Sequence, residues 1–450
     1  MSQVSEATAR YHKLIESEPY IDLAWAQALQ ERLRAEKLVN RPVSPVLRPH
    51  FITSRDYTAL GKAASTIFSA IERTEKLVMA NPGLLSRLQL LPAERMLAAV
   101  EPGYSSQTLA GLLDASIHNG SVHFVGHRVG TPSSVVYGDV LADVYYDAPP
   151  VKEFRKKHKL TKIGTVKPLL QAILKAYKEF GGKQKKPAIA IVEARGPSQP
   201  ADSSENALLA ERLRREGFAA EVVAPEHLEY RNNQLRRGEM VIDIVYRCIR
   251  LQDFLVRFDL NHPLVRAYKD RTVCMANSFR SELAAKRGLF DLLTDDAVTG
   301  KFPAAERKAI ADFIPWTRMV QAAKTTHNRR TVDLPDFVMK HRNKLVLKPN
   351  DEASDQNTFR GAELDEFAWE KALRQAMRSP YVVQEVAEPA RAVFPLMQYG
   401  SLVMKEMLVD VHPHFFSGKL QGASSWLNVA GSSGFSTLSG LAPTFLLESK

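Results

Sequence analysis

Apolar residues recur at helical spacing through most of the first hundred positions. "IDLAWAQALQERLRAEKLV" (21–39) and "YTALGKAASTIFSAIERTEKLVM" (57–79) each predict an amphipathic helix. "NPGLLSRLQLLPAERMLAAV" (81–100) carries an Asn-Pro-Gly break and then a further helix, with Pro92 near its start, where the missing N–H costs nothing. The period changes at "SVHFVGH" (121–127), an alternating strand, which is followed by the apolar "VVYGDVLADVYY" (135–146). "IGTVKPLLQAILKAYKEFGG" (163–182) reads as a helix closed by glycine, and the polar, basic "KQKKP" after it as a domain junction.

Beyond the junction, strands and helices alternate. "AIAIV" (188–192) has the unbroken apolar character of a buried parallel strand, "ENALLAERLRREG" (205–217) is an amphipathic helix with a glycine stop, and "AAEVV" (219–223) and "MVIDIVYRCI" (240–249) are further strands. This alternation predicts a doubly wound α/β unit. "RTVCMANS" (271–278) is strand-like and "SELAAKRGLFDLLTDD" (281–296) helical. From 300 onward, helices ("PAAERKAIADFI", "ELDEFAWEKALRQAMR") mix with strands ("KLVLKP", "YVVQEV", "LVMKEMLVDV"), which reads as α+β.

The chain has 450 residues, is 45% hydrophobic and 25% charged, and so has the composition of a globular protein of two to three domains. Its two cysteines, Cys248 and Cys274, make neither a disulfide framework nor a metal cluster. No secretory signal and no long apolar span are seen, so no membrane association is expected and the expected compartment is the cytoplasm. The net charge of +11 is compatible with a polyanion or nucleic-acid partner. The basic residues are dispersed, however. The densest run, "EFRKKHKLTK" with "YKEFGGKQKKP", reads as a solvated face, and no zinc-finger, KH or RNP signature accompanies it.

Candidate chemistry lies in "KLVLKPND" (344–351) and "YVVQEV" (381–386). A lysine at a strand end can reach nucleotide phosphates as a point charge. A strand ending in Gln-Glu can offer backbone groups to an adenine edge and a carboxylate to a ribose. A helix lies between the two. The order of lysine strand, loop, helix and Gln-Glu strand resembles an ATP-grasp domain. More specifically, the chain resembles the circularly permuted ATP-grasp proteins of bacteria. "LRPHFIT" (47–53), "EPGYSS" (101–106), "MVIDIVYRCI", "NHPLVRAYKDRTVCMANSFRSELAAKRGLF" (261–290), "FIPWTRMV" (313–320), "LVLKPND", "YVVQEV" and "MLVDVHPHFF" (407–416) appear in family order.

The resemblance implies a circularly permuted ATP-grasp fold of mixed α/β and α+β character. Residues 1–115 would be helical additions, 116–184 part of the permuted ATP-grasp domain, 185–298 a Rossmann-like substrate-side domain, and 299–450 the lysine strand and hinge. It also implies ATP- and magnesium-dependent carboxylate–amine ligation through an acylphosphate. Lys348, with Lys324, would contact phosphates, and Gln384 and Glu385 would hold the adenine and ribose. Asp351 and Glu352 would take magnesium. Asp243, Tyr246 and Asn277 would line the substrate site, with Arg247 and Arg280 as its catalytic cations.

The sequence departs from the family at its phosphate–magnesium centre. The family pattern after K-P-N-D resembles an acidic residue, an aromatic and G-G-x-G, but Ser354, Asp355 and Asn357 stand at the glycine positions. Glycine amides there approach phosphate closely, and Asp355 adds negative charge instead. Gly126 and Arg128 replace a glutamate and an asparagine expected as magnesium ligands. Leu113 replaces an arginine, and Cys248 stands where arginine is commoner. Three readings follow: an ATP-grasp-type protein with impaired or lost ligase activity, acting as a binding or partner subunit of a peptide- or amino-acid-modifying system; an active ligase with a rearranged metal site that draws in Asp410; or a basic polyanion binder. The His412/His414 pair has the spacing of one strand face but no evident third zinc ligand.

Overall fold

The computed structural model describes residues 2–36, 44–118, 121–130, 134–194, 204–351, 357–429 and 439–448. It is a mixed α/β protein with several sheets. The largest is antiparallel, ordered Gly440–Ala442, Lys419–Val429, Ser401–Phe416, Ala110–His118 and Ser121–Arg128, with Ala390–Gln398 paired to the first half of the long strand. The helix Ser54–Ala80 covers one face. It starts where Thr53 Oγ1 accepts from the Asp56 amide at 3.0 Å, and it buries Leu60, Ile67, Phe68 and Ile71. Phe68 stacks on Phe415 with ring centroids 5.1 Å apart.

The second sheet is antiparallel, ordered Thr317–Met319, Tyr381–Glu385, Leu345–Pro349 and Phe359–Arg360. Helices Leu334–Lys340 and Glu366–Ala376 pack on it around the fully buried Trp369, whose indole N–H donates to the Val338 carbonyl at 3.1 Å. The third sheet is wholly parallel, ordered Cys274–Ala276, Ile244–Arg247, Ile189–Val192 and Ala220–Val223. Its two central strands are fully buried, as their apolar runs require.

Three features differ from the periodicity. Residues 135–146 form the helix Val135–Tyr146, whose amino end is closed by the Glu205 carboxylate accepting from the amides of Ser134, Val136 and Tyr137. A remote carboxylate satisfies the first-turn donors, so no local capping residue signals the start. "MVIDIVYRCI" divides into Met240–Val241, in a small meander, and Ile244–Arg247, in the parallel sheet. The expected boundary at 115 falls inside Ala110–His118, and the large sheet joins strands from 110–128 to strands from 390–442.

Glu75, on the long helix, is 0% exposed and neither carboxylate oxygen has a hydrogen-bond partner among the described residues. Burial, reinforced by Glu72, raises its pKa well above the usual carboxylate value, against smaller lowering effects of Lys76 and Arg280. The folded state therefore holds this proton to higher pH than the unfolded chain does, and stability falls as pH rises above the ordinary glutamate range. Glu75→Gln should stabilise the protein by about 1–3 kcal/mol at pH 7.5, with the gain shrinking toward pH 4.5. Thermal melts of the two proteins across that range check this; a constant difference would contradict it.

Candidate functional site

Lys348 lies near the end of Leu345–Pro349, opposite Val382 of the neighbouring strand. Its ammonium donates to Gln384 Oε1 at 2.8 Å and reaches the Val125 carbonyl of the large sheet at 3.5 Å. Val125 can receive it because of a bulge. Asp114 pairs with Gly126 and Ala115 with Phe124, which leaves Val125 as the extra residue. Gln384 is buried, and its amide nitrogen donates to Thr317 Oγ1 at 2.9 Å, so the lysine is held across three strands.

Beside that contact sits Asp114. Its carboxylate pairs with Arg128 Nε at 2.9 Å and lies 3.4 Å from His412 Nε2. Burial alone would raise the Asp114 pKa, but Arg128, His412 and Lys348 together outweigh it and hold the group below its ordinary value. His412 is pushed down to about 4, first by burial and also by Arg128, against the pull of Asp114. It is neutral at physiological pH, so among these described residues the charges are those of Asp114, Arg128 and Lys348. Gly126 belongs to the same arrangement: a Cβ at that position would lie 2.7 Å from Asp114 Oδ2. The absent side chain is the space that the aspartate occupies.

The segment after Lys348 is anchored from another direction. Lys286 is fully buried and pairs with Glu94 at 2.7 Å and with Asp351. Glu94 also accepts from the Leu91 amide at 2.7 Å, and Arg250 donates to the Asp351 carbonyl at 2.8 Å. Asn350 bonds the Gly288 amide and the Leu88 carbonyl. Burial raises the Asp351 pKa to about 6, against the lowering effect of Lys286. Glu352, Ser354 and Asp355 lie outside the described residues. The Asn357 carbonyl accepts from the Tyr381 hydroxyl at 3.2 Å.

The other expected site residues are dispersed. Arg247 is completely buried, paired with Glu282 at 2.6 Å and donating to the carbonyls of Ile249, Asn277 and Ser278. Arg280 donates to the carbonyls of Ala98 and Ala99 at the end of the Pro92–Ala98 helix and pairs with Glu101 at 2.9 Å. Asn277 joins the amides of Leu109 and Ala110 to the carbonyls of Ala110 and Val129, tying the parallel sheet to the large one. Tyr246 is buried in the core, and Asp243, at the opposite end of its strand from Arg247, accepts from the Ala188 amide at 2.8 Å. Glu385 bonds His327 at 2.9 Å. His327 belongs to a hairpin that Lys324 begins, but Lys324 is exposed and on the other face. Leu113 is a buried core residue. His414 bonds Ser424 at 3.0 Å, and Asp410 pairs in the strand ladder with Ser116 and Trp426.

Neither Asp114 nor Lys286 was expected as part of this site. Asp114 lies beside Leu113 in "GLLDASI", but only the bulge register brings it onto Gly126. Lys286 is one of many basic residues, and its burial is a tertiary fact.

The donors along Ser121–Arg128 do not fit a magnesium ion: Gly126 has no side chain, Arg128 supplies no oxygen, and Asp114 is already paired. Among the described residues no group of three or more His, Cys, Asp or Glu is placed to hold a metal.

No family model and no curated protein matches the chain. Among solved structures, a glutathione synthetase-like effector, GSS30 from Globodera pallida, in its apo form, superposes with a TM-score of 0.61 over 96% of this chain and 98% of that one, at 13% identity. This chain has a glutathione synthetase-like fold. A putative gamma-glutamylcysteine synthetase from Methylobacillus flagellatus (TM-score 0.40, 10% identity, 88% of each chain) and the ATP-grasp ligase PsnB with a minimal precursor (TM-score 0.27, 12% identity, 58% of this chain and 89% of that one) are more distant matches. Among the described residues no helix is long and apolar enough to cross a membrane.

Proposed function

We propose that this chain is a circularly permuted ATP-grasp-type protein whose phosphate–metal centre has been rebuilt as a metal-free ion-pair cluster. ATP-dependent ligase activity is thereby impaired or lost, and the protein serves as a binding or partner subunit, in keeping with a peptide- or amino-acid-modifying system. The observation that carries this reading is the Asp114–Arg128 ion pair seated over Gly126. Restoring a glutamate at 126 displaces Asp114, and Arg128 puts a fixed positive charge where a divalent cation would need an oxygen ligand. The contact between Lys348 and Val125 supports permutation, because the would-be metal strand precedes the lysine strand in sequence yet meets it in space. The parallel sheet supports a Rossmann-like substrate-side unit. Pairing of Asp351 with Lys286 favours this reading over an active ligase built on Asp351 and Glu352.

ADP release from ATP tests the proposal. With magnesium present and amino acids or short peptides as acceptors, the rate should stay at the no-enzyme background. A magnesium-dependent rate that is abolished by Lys348→Ala would overturn it.

A further inference from the structure

An open surface concavity of ≈ 550 Å³ lies at the end of the helix Pro149–Arg155, in the turn leading to the strand Leu160–Lys162. Lys152, Arg155, Lys156 and Lys159 line it, against Asp147 as the acidic lining residue. Asp147 is itself shared between Lys152 at 3.6 Å and Arg32 at 3.7 Å. Two basic residues in the last turn would complement the helix dipole; Lys156 and Lys159 go beyond that need.

Arg155 is held in place. Its Nη1 donates to the Tyr146 carbonyl at 2.9 Å, and the guanidinium carbon lies 3.3 Å from the Tyr146 ring centroid. The ring fixes the plane of the fork, so little side-chain freedom remains to be lost when an anion docks. Two of the three lysines pair with carboxylates outside the lining: Lys156 with Glu153 at 2.6 Å, and Lys159 with Glu448. Such exposed pairs are weak and exchange readily for a more highly charged anion.

We propose that this concavity binds a small molecule bearing a diphosphate or polyphosphate, with Arg155 as the fixed fork and Lys152, Lys156 and Lys159 as mobile point charges. Four cations around one concavity suit a compact, multiply charged group. The site shares no residue with the Lys348 cluster and does not rest on the function proposed for it.

Inorganic pyrophosphate is the probe. Calorimetric titration of the full chain should show saturable binding that weakens with salt. Lysine acetylation footprinting should show Lys156 and Lys159 protected at saturation. Lys156→Gln/Lys159→Gln should weaken binding about tenfold. Both side chains are exposed, so the fold should be kept, with an unchanged melting temperature as the check. Lys183→Gln/Lys185→Gln, an equal charge loss at exposed positions elsewhere, should change affinity less than about twofold. No binding, an unaffected double variant, or an equal loss in the two double variants would each overturn the proposal.

Discussion

Lys286→Met should destabilise the protein by about 3–5 kcal/mol. The lysine side chain is 1% exposed and its two partners, Glu94 and Asp351, are 1% and 16% exposed. Methionine is similar in length, so the cost is electrostatic: two carboxylates lose their counter-ion away from water. Urea denaturation would show it as a lower midpoint with an unchanged slope. Adding Glu94→Gln to the variant should return part of the loss, because one stranded charge is removed. A change below about 1 kcal/mol would mean that the ammonium is not the element clamping Asp351 to the helices behind it.

Arg247→Met should cost a similar amount, about 3–5 kcal/mol. Arg247 is 0% exposed and Glu282 4%, and the guanidinium serves three carbonyls besides its carboxylate. Methionine abandons them together. Lysine does not rescue the position, since a compact ammonium cannot reach carbonyls on several sides. Arg247→Lys should therefore remain clearly destabilised in the same denaturation assay. An Arg247→Met variant of unchanged stability would contradict this placement.

These two residues mark what the sequence could and could not convey. The strand Ile244–Arg247 was legible from its apolar run, and so were the helices at 54–80 and 205–215, because each buries one face or both. The Lys348 and Gln384 strands were legible too, and they do lie side by side. What stayed hidden was set by contacts between distant segments. The helix at 135–146 is capped by Glu205 from about seventy residues away. Asp114 acquires its role from a one-residue bulge in the facing strand. Arg247, Arg280 and Asn277 have the residue types of a catalytic site, but burial commits each to backbone carbonyls and amides. Composition cannot distinguish a buried arginine from an exposed one. The sequence puts Gly126 and Arg128 where the resemblance leads one to expect magnesium ligands. That Asp114 fills the space beside Gly126 and pairs with Arg128 became visible only with the strand register.

Replacement of a magnesium–phosphate centre by the Asp114–Arg128–Lys348 cluster is tested most directly by calorimetric titration with a non-hydrolysable ATP analogue, with and without magnesium. Magnesium should add nothing to the affinity, whatever the analogue's binding without it. Tight binding that appears only with magnesium would mean that the centre still assembles around the metal, and would contradict the replacement.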